Sequence, residues 1–206
     1  MFVAGPVSGL IELAGWETLL LAAGIDRDGF GALAERYADW VEPSIEALAA
    51  STAPVVMLHD DLCWSSGPFL PPAWYDRHVF PRLQRFVEIL RAAGKTVLFT
   101  SDGDIASLLP GIGRLGVAGV CFEPCTDLQL MVDRLGQDHA LIGGVDTRVL
   151  LQNDAAAVEA AVEQAITTAG DCPGFVLAVG NHIPANTPVD AALAYDAAYR
   201  RVRIRG

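Results

Sequence analysis

The chain is poor in cysteine. Four thiols in 206 residues (Cys63, Cys121, Cys125 and Cys172) are too few to staple a chain of this length. Reduced thiols and a cytoplasmic location are the expectation. Positive charge is also scarce: 14 Lys plus Arg stand against 25 Asp plus Glu, a formal net charge of −11. Nucleic-acid binders concentrate positive charge, so no nucleic-acid partner is expected. The one basic cluster, Arg200, Arg201, Arg203 and Arg205, reads as a solvated tail. No segment reaches the roughly 18–20 uninterrupted apolar residues of a membrane helix. The apolar start is broken by Glu12 and Glu17 and lacks a positive leader, so no membrane association is expected. There is no Gly-x-Ser-x-Gly elbow, which lowers the case for acyl hydrolysis. No Gly-x-Gly-x-x-Gly run follows a strand; Gly111-Ile112-Gly113 with Gly116 sits between a helix and a strand and reads as helix-stop glycines. Linkers, low-complexity tracts and tight repeats are missing too, so residues 1–206 read as a single domain.

Apolar material is plentiful at 52%, enough for a sizeable core and too much for a disordered chain. Short apolar blocks predict strands at Phe2–Ala4, Val55–His59, Thr96–Thr100, Gly119–Phe122, His139–Ile142 and Phe175–Val179. Several lack polar alternation, as strands of a parallel sheet covered on both faces do. Between them lie helical patterns. One amphipathic region with Leu33, Tyr37, Trp40, Val41 and Ile45 closes at Ser44–Ala50. Pro71-Pro72 opens a helix with Tyr75, Val79, Leu83, Phe86, Val87 and Leu90 on one stripe, kinked at Pro81 and stopped at Gly94. Thr126 caps a third helix that Gly136 ends, Asn153 or Asp154 opens a fourth, and Thr187-Pro188 caps and opens the last. Strand and helix in alternation mean right-handed parallel crossovers, in either an open doubly wound sheet or a (β/α) barrel.

Polar residues gather where these strands end. Val55–His59 runs into Asp60-Asp61, Thr96–Phe99 into Thr100-Ser101-Asp102-Gly103-Asp104, and Val120–Phe122 into Glu123-Pro124-Cys125. Leu141-Ile142 runs into Gly143-Gly144-Val145-Asp146-Thr147, and Val176–Val179 into Gly180-Asn181-His182. In a parallel barrel all such ends share the catalytic face. Any one of them also suits a helix cap, Asp104 and Thr147 most of all. Asp60-Asp61 resists that explanation, because two adjacent carboxylates repel and can instead hold a metal or one raised pKa. Cys121-x-x-x-Cys125 lacks the tight paired spacing of a zinc knuckle. His59, Asp61, Asp102, Glu123 and His182 are nevertheless suitable ligand types for a site built from distant loops. Cys63 and Cys125 read as buried inert thiols.

The run Asp60-Asp61 … Gly67-Pro68-Phe69-Leu70-Pro71-Pro72 … Tyr75 … Phe80-Pro81 resembles the uroporphyrinogen decarboxylase family. Gly94–Ile105, Gly116-Val117, Phe122-Glu123-Pro124, Gly143–Thr147 and Gly180-Asn181-His182-Ile183-Pro184 … Thr187-Pro188 continue the likeness over nearly the whole chain. The resemblance implies a (β/α)8 TIM barrel, here an incomplete one of about six parallel βα units that match family strands 3 to 8. It implies two activities: cofactor-free decarboxylation of uroporphyrinogen, or methyl transfer between corrinoid proteins and thiols through a zinc-bound thiolate. The family's His-x-Cys zinc motif falls on Thr100-Ser101-Asp102 and its later Cys on Asn181. The arginine-rich clamp of the decarboxylases has no counterpart here. The expected function is therefore a small-molecule enzyme of the corrinoid methyltransferase-like branch. A tetrapyrrole carboxy-lyase, or a non-catalytic fragment or half of a split barrel, is the alternative. The catalytic residues expected are Asp61, His182 and Asp102, with Asp60, Thr100, Glu123, Asp146 and Asn181 binding substrate. The cofactors to look for are a metal ion or a corrinoid partner. A homo-oligomer, or a partner chain completing the barrel, is expected.

Overall fold

The computed structural model describes residues 1–170 and 172–203. Arg205 lies outside them. Along the chain run β1 (Phe2–Ala4), α1 (Pro6–Ala14), α2 (Trp16–Ile25), α3 (Arg27–Ala50), β2 (Val55–His59), β3 (Cys63–Trp64), β4 (Gly67–Pro68), α4 (Pro72–His78), α5 (Phe80–Ala92) and β5 (Thr96–Ser101). A 3-10 turn at Ala106–Leu108 then leads to α6 (Leu109–Gly113), β6 (Gly119–Phe122), α7 (Leu128–Leu135), β7 (Ala140–Gly144), α8 (Thr147–Leu151), α9 (Ala155–Ala169), β8 (Phe175–Ala178) and α10 (Val189–Val202). The long sheet has the order β1-β2-β5-β6-β7-β8, and β3-β4 is a separate antiparallel pair. Internal contacts group the chain into two compact units, Met1–Val120 and Cys121–Gly206.

In the first unit β1, β2 and β5 pair in parallel, from Phe2↔Met57 through His59↔Thr100. Val56, Leu58, Val97 and Phe99 are buried between the strands and their helices. The stripe expected from Tyr75 to Leu90 is buried throughout. It lies on two helices rather than one kinked helix: α4 ends at Val79, and Pro81 sits in the first turn of α5, where its missing N–H costs nothing. The long amphipathic helix packs on Phe30, Gly31, Ala34, Ala38, Val41 and Ile45. Leu33 and Trp40 face solvent instead, because small residues on the other stripe let α3 approach its neighbours closely. A hydrogen bond from Glu35 to His78 and ion pairs of Glu35 and Asp39 with Arg82 and of Glu42 with Arg85 stitch α3 to α4 and α5.

In the second unit β7 and β8 pair in parallel from Leu141↔Phe175 to Gly144↔Ala178. Val145, Leu150, Val158, Val162, Ala165, Ala191 and Ala198 form its core. Several helix ends differ from expectation. Asp127, not Thr126, caps α7 by accepting from the Leu130 amide at 2.8 Å, since a carboxylate is the stronger acceptor at a helix start. Asp154 caps α9. Pro188 is itself the N-cap of α10, with the extended backbone a cap residue adopts. Arg200 and Arg201 belong to α10 rather than to a free tail, and pair with Asp196 and Glu159. Among the described residues no single helix is long and apolar enough to cross a membrane; α1 and α2 reach that length only together, and a bend of 114° separates them.

Candidate functional site

The C-terminal ends of β2 and β5 carry a cluster of linked polar side chains. Parallel pairing places His59 beside Thr100, and the chain continues past both ends with further cross-links. The Asp60 amide donates to Thr100 O at 3.0 Å, and the Leu62 amide to Ser101 Oγ at 3.1 Å. These bonds bring Asp61 to Asp102. Asp61 Oδ1 meets His59 Nε2 at 3.0 Å and accepts from the Asp102 amide at 3.0 Å. The Asp61 amide in turn donates to Ser8 Oγ at 2.7 Å. The His59 and Asp61 side chains are 30% and 22% exposed.

Electrostatics follow from this packing. The hydrogen bond from Asp61 raises the His59 pKa; burial opposes it, and the charges of Asp61, Asp102 and Asp60 add to the rise. Burial works against ionisation of Asp61, but the bonds from His59 and the Asp102 amide outweigh it and hold this carboxyl below its ordinary range.

Asp60 points elsewhere. It is fully buried, and Oδ1 accepts from the Ser8 amide at 2.7 Å. Gly5, the N-cap of α1, has no side-chain oxygen for the free amides of the first turn. A carboxylate from a strand end supplies it. Burial pushes the Asp60 carboxyl up to about 7, with help from the Asp61 charge and against the amide bonds of Ser8 and Val7. Thr100 is likewise buried, and Asp104 Oδ1 accepts from the Ala106 amide at 3.0 Å as a local cap.

The second unit holds a pair of its own. Asn181 Nδ2 donates to Glu123 Oε1 at 2.6 Å, and Asn181 Oδ1 accepts from the His182 amide at 2.7 Å. The Cys125 thiol lies 3.9 Å from Glu123 Oε2. The His182 side chain is exposed. Asp146 caps α8 through the Arg148 amide at 2.8 Å and also binds the Arg148 guanidinium, which holds its carboxyl below the usual range. Thr147 is the first residue of that helix.

Of the residues singled out from sequence, the structure thus brings Asp61 to Asp102, and Glu123 to Asn181. Asp60 and Asp146 are bound to helix starts. Ser8 was missed, although it is the residue that joins the two adjacent aspartates to α1. Its only signal is position, four residues after the first strand.

The family model for uroporphyrinogen decarboxylase (URO-D) matches residues 1–202. The chain belongs to the uroporphyrinogen decarboxylase family. A solved structure, a methyltransferase from Methanosarcina mazei, superposes with a TM-score of 0.76 at 17% sequence identity. That match covers 98% of this chain, which spans 58% of the methyltransferase. No curated protein matches. The family fold is a TIM barrel, and this URO-D chain carries six parallel strands of it. The zinc of the family's methyltransferases, implied by the resemblance, does not fit the residues present. Thr100 is a buried hydroxyl, and the Asn181 amide is engaged by Glu123 and His182. Neither supplies a thiolate.

Proposed function

We propose that this URO-D family chain is a group-transfer enzyme of the corrinoid methyltransferase-like branch, acting on a small molecule. The observation that carries the reading is the His59–Asp61–Asp102 cluster at the ends of β2 and β5. Strand ends of this polarity are where TIM-barrel enzymes place their chemistry. The fold likeness to a protein named a methyltransferase supports the branch. The acidity of the cluster and the net charge of −11 disfavour a polycarboxylate tetrapyrrole.

The proposed chemistry moves a methyl group from a corrinoid to an acceptor X–H. The cobalt–carbon bond breaks with its electron pair left on cobalt, the X–C bond forms, and the X–H proton departs. His59 with Asp61 is the proposed destination of that proton, the carboxylate stabilising the imidazolium. Asp102 fixes Asp61 through its amide.

The test is methyl transfer from methylcobalamin to thiol, alcohol and amine acceptors, followed by the absorbance of the demethylated corrinoid. Turnover is expected, with a loss of at least about 100-fold in Asp61→Ala. Asn181→Ala and His182→Ala are assayed beside it, as the second unit's strand-end candidates. Turnover of uroporphyrinogen in place of methyl transfer, or full activity in the Asp61 variant, overturns the reading.

A further inference from the structure

The geometry points to a divalent cation site with nitrogen and oxygen ligands, formed by His59, Asp61 and Asp102. An imidazole nitrogen and one oxygen from each carboxylate lie within 4.8 Å of one another. Among the described residues this is the one group of three or more His, Cys, Asp or Glu side chains that comes so close. Metal–ligand bonds of about 2.0–2.2 Å put neighbouring ligand atoms roughly 3–3.6 Å apart. Small rotations about the side-chain bonds therefore close the set on an ion.

The surroundings hold these ligands in place. His59 sits on a regular parallel ladder, and its ring packs edge-on against Phe2 with centroids 5.4 Å apart. Asp61 is fixed through its own amide by Ser8 and through Oδ1 by the Asp102 amide. Such outer contacts orient ligands in metal sites. No thiolate takes part: Asp102 stands where the motif resembled has its Cys, and the other two ligands lie on β2 and just after it, outside positions 100–102. The set is therefore matched to borderline and hard ions such as Zn²⁺ or Mn²⁺ rather than to a thiolate-selected metal. A cation held there by nitrogen and oxygen favours an oxygen- or nitrogen-bearing acceptor.

This inference rests on the reading above only for its location: with an ion bound, His59 would serve as a ligand and the acceptor's proton would pass to solvent rather than to the imidazole. Titration of the metal-free 206-residue chain with Zn²⁺ and Mn²⁺, read by calorimetry and by Mn²⁺ electron resonance, tests it directly. One equivalent is expected to bind. His59→Gln and Asp102→Asn are each expected to lose at least tenfold in affinity with unchanged circular dichroism. A readout without variants is the proton spectrum of the wild-type chain: substoichiometric Mn²⁺ should broaden the His59 ring signals before those of His78, His139 and His182. Failure to bind either ion, wild-type affinity in either variant, or first broadening at another histidine overturns the site. Metal binding without methyl transfer would reject the proposed function and keep the site; transfer without metal binding would do the reverse.

Discussion

The Ser8 amide donates to Asp60 Oδ1 across 52 residues of sequence, at 2.7 Å and fully buried. A strand end thereby caps a helix that lacks a cap of its own. Asp60→Ala leaves that amide buried without an acceptor. A loss of about 1–3 kcal/mol is expected, or very roughly 2–12 °C in Tm for a chain of this size. Asp60→Asn keeps one acceptor oxygen and is expected to lose less. Thermal melts of the two variants check the order; an Ala variant as stable as the wild type would reject the capping role.

Gly103→Ala should damage the site through the backbone next to Asp102. Gly103 has φ +85°, and a Cβ there would stand 2.4 Å from Cys63 O and 2.6 Å from Trp64 O. The strained backbone alone costs roughly 1–3 kcal/mol, and here backbone must also move. The Asp104 amide bond to Trp64 O and the placing of Asp102 should suffer together. Denaturant unfolding gives the stability loss, and the assay for Asp61 function gives the second readout.

Acid should weaken the clasp between α3 and α4. Glu35 lies 2.7 Å from His78, and that hydrogen bond holds its carboxyl below the ordinary 4.5, with burial opposing and Arg82 assisting. A lowered folded pKa means stability present above the unfolded value and lost as pH falls through the folded one. Melts in steps below about pH 4.5 should show a fall that Glu35→Gln lacks. An identical acid profile in the variant would remove Glu35 from the account.

The thiols should divide by burial. Cys63 and Cys172 are buried, and Cys172 Sγ donates to Gly136 O at 3.0 Å. Cys121 and Cys125 are half-buried. Native protein should label first at Cys121 and Cys125, with Cys63 and Cys172 reacting only on unfolding. Mass spectrometry after brief alkylation separates the cases.

The fold was largely legible because its strands are dense apolar blocks and its helices have stop glycines and acidic caps. The exceptions have local causes. β7 was expected at His139–Ile142 but runs to Gly144. Gly143 and Gly144 read as loop residues, yet they extend the strand with φ +150° and +105°, and at Gly143 a Cβ would stand 2.8 Å from Phe122 O. Pro81 looked like a kink because position alone does not distinguish a helix interior from a first turn. The site was legible in part. Asp61 and Asp102 stood out as acids at strand ends, and parallel pairing brings them together. Asp60 carried the same signal but faces the core, since successive residues beyond a strand point opposite ways. The contribution of Ser8 depends on the path of α1, which no local pattern encodes.

Trp16 and Trp64 stack with ring centroids 5.0 Å apart, and Phe69 packs on both. Trp64 O accepts from the amide of Asp104, two residues beyond Asp102. Two indoles so close couple their electronic transitions, so the chain contains an optical reporter wired to the loop that presents Asp102. A shift of that loop that moves Trp64 is expected to change the circular dichroism of the native protein, without dye or label.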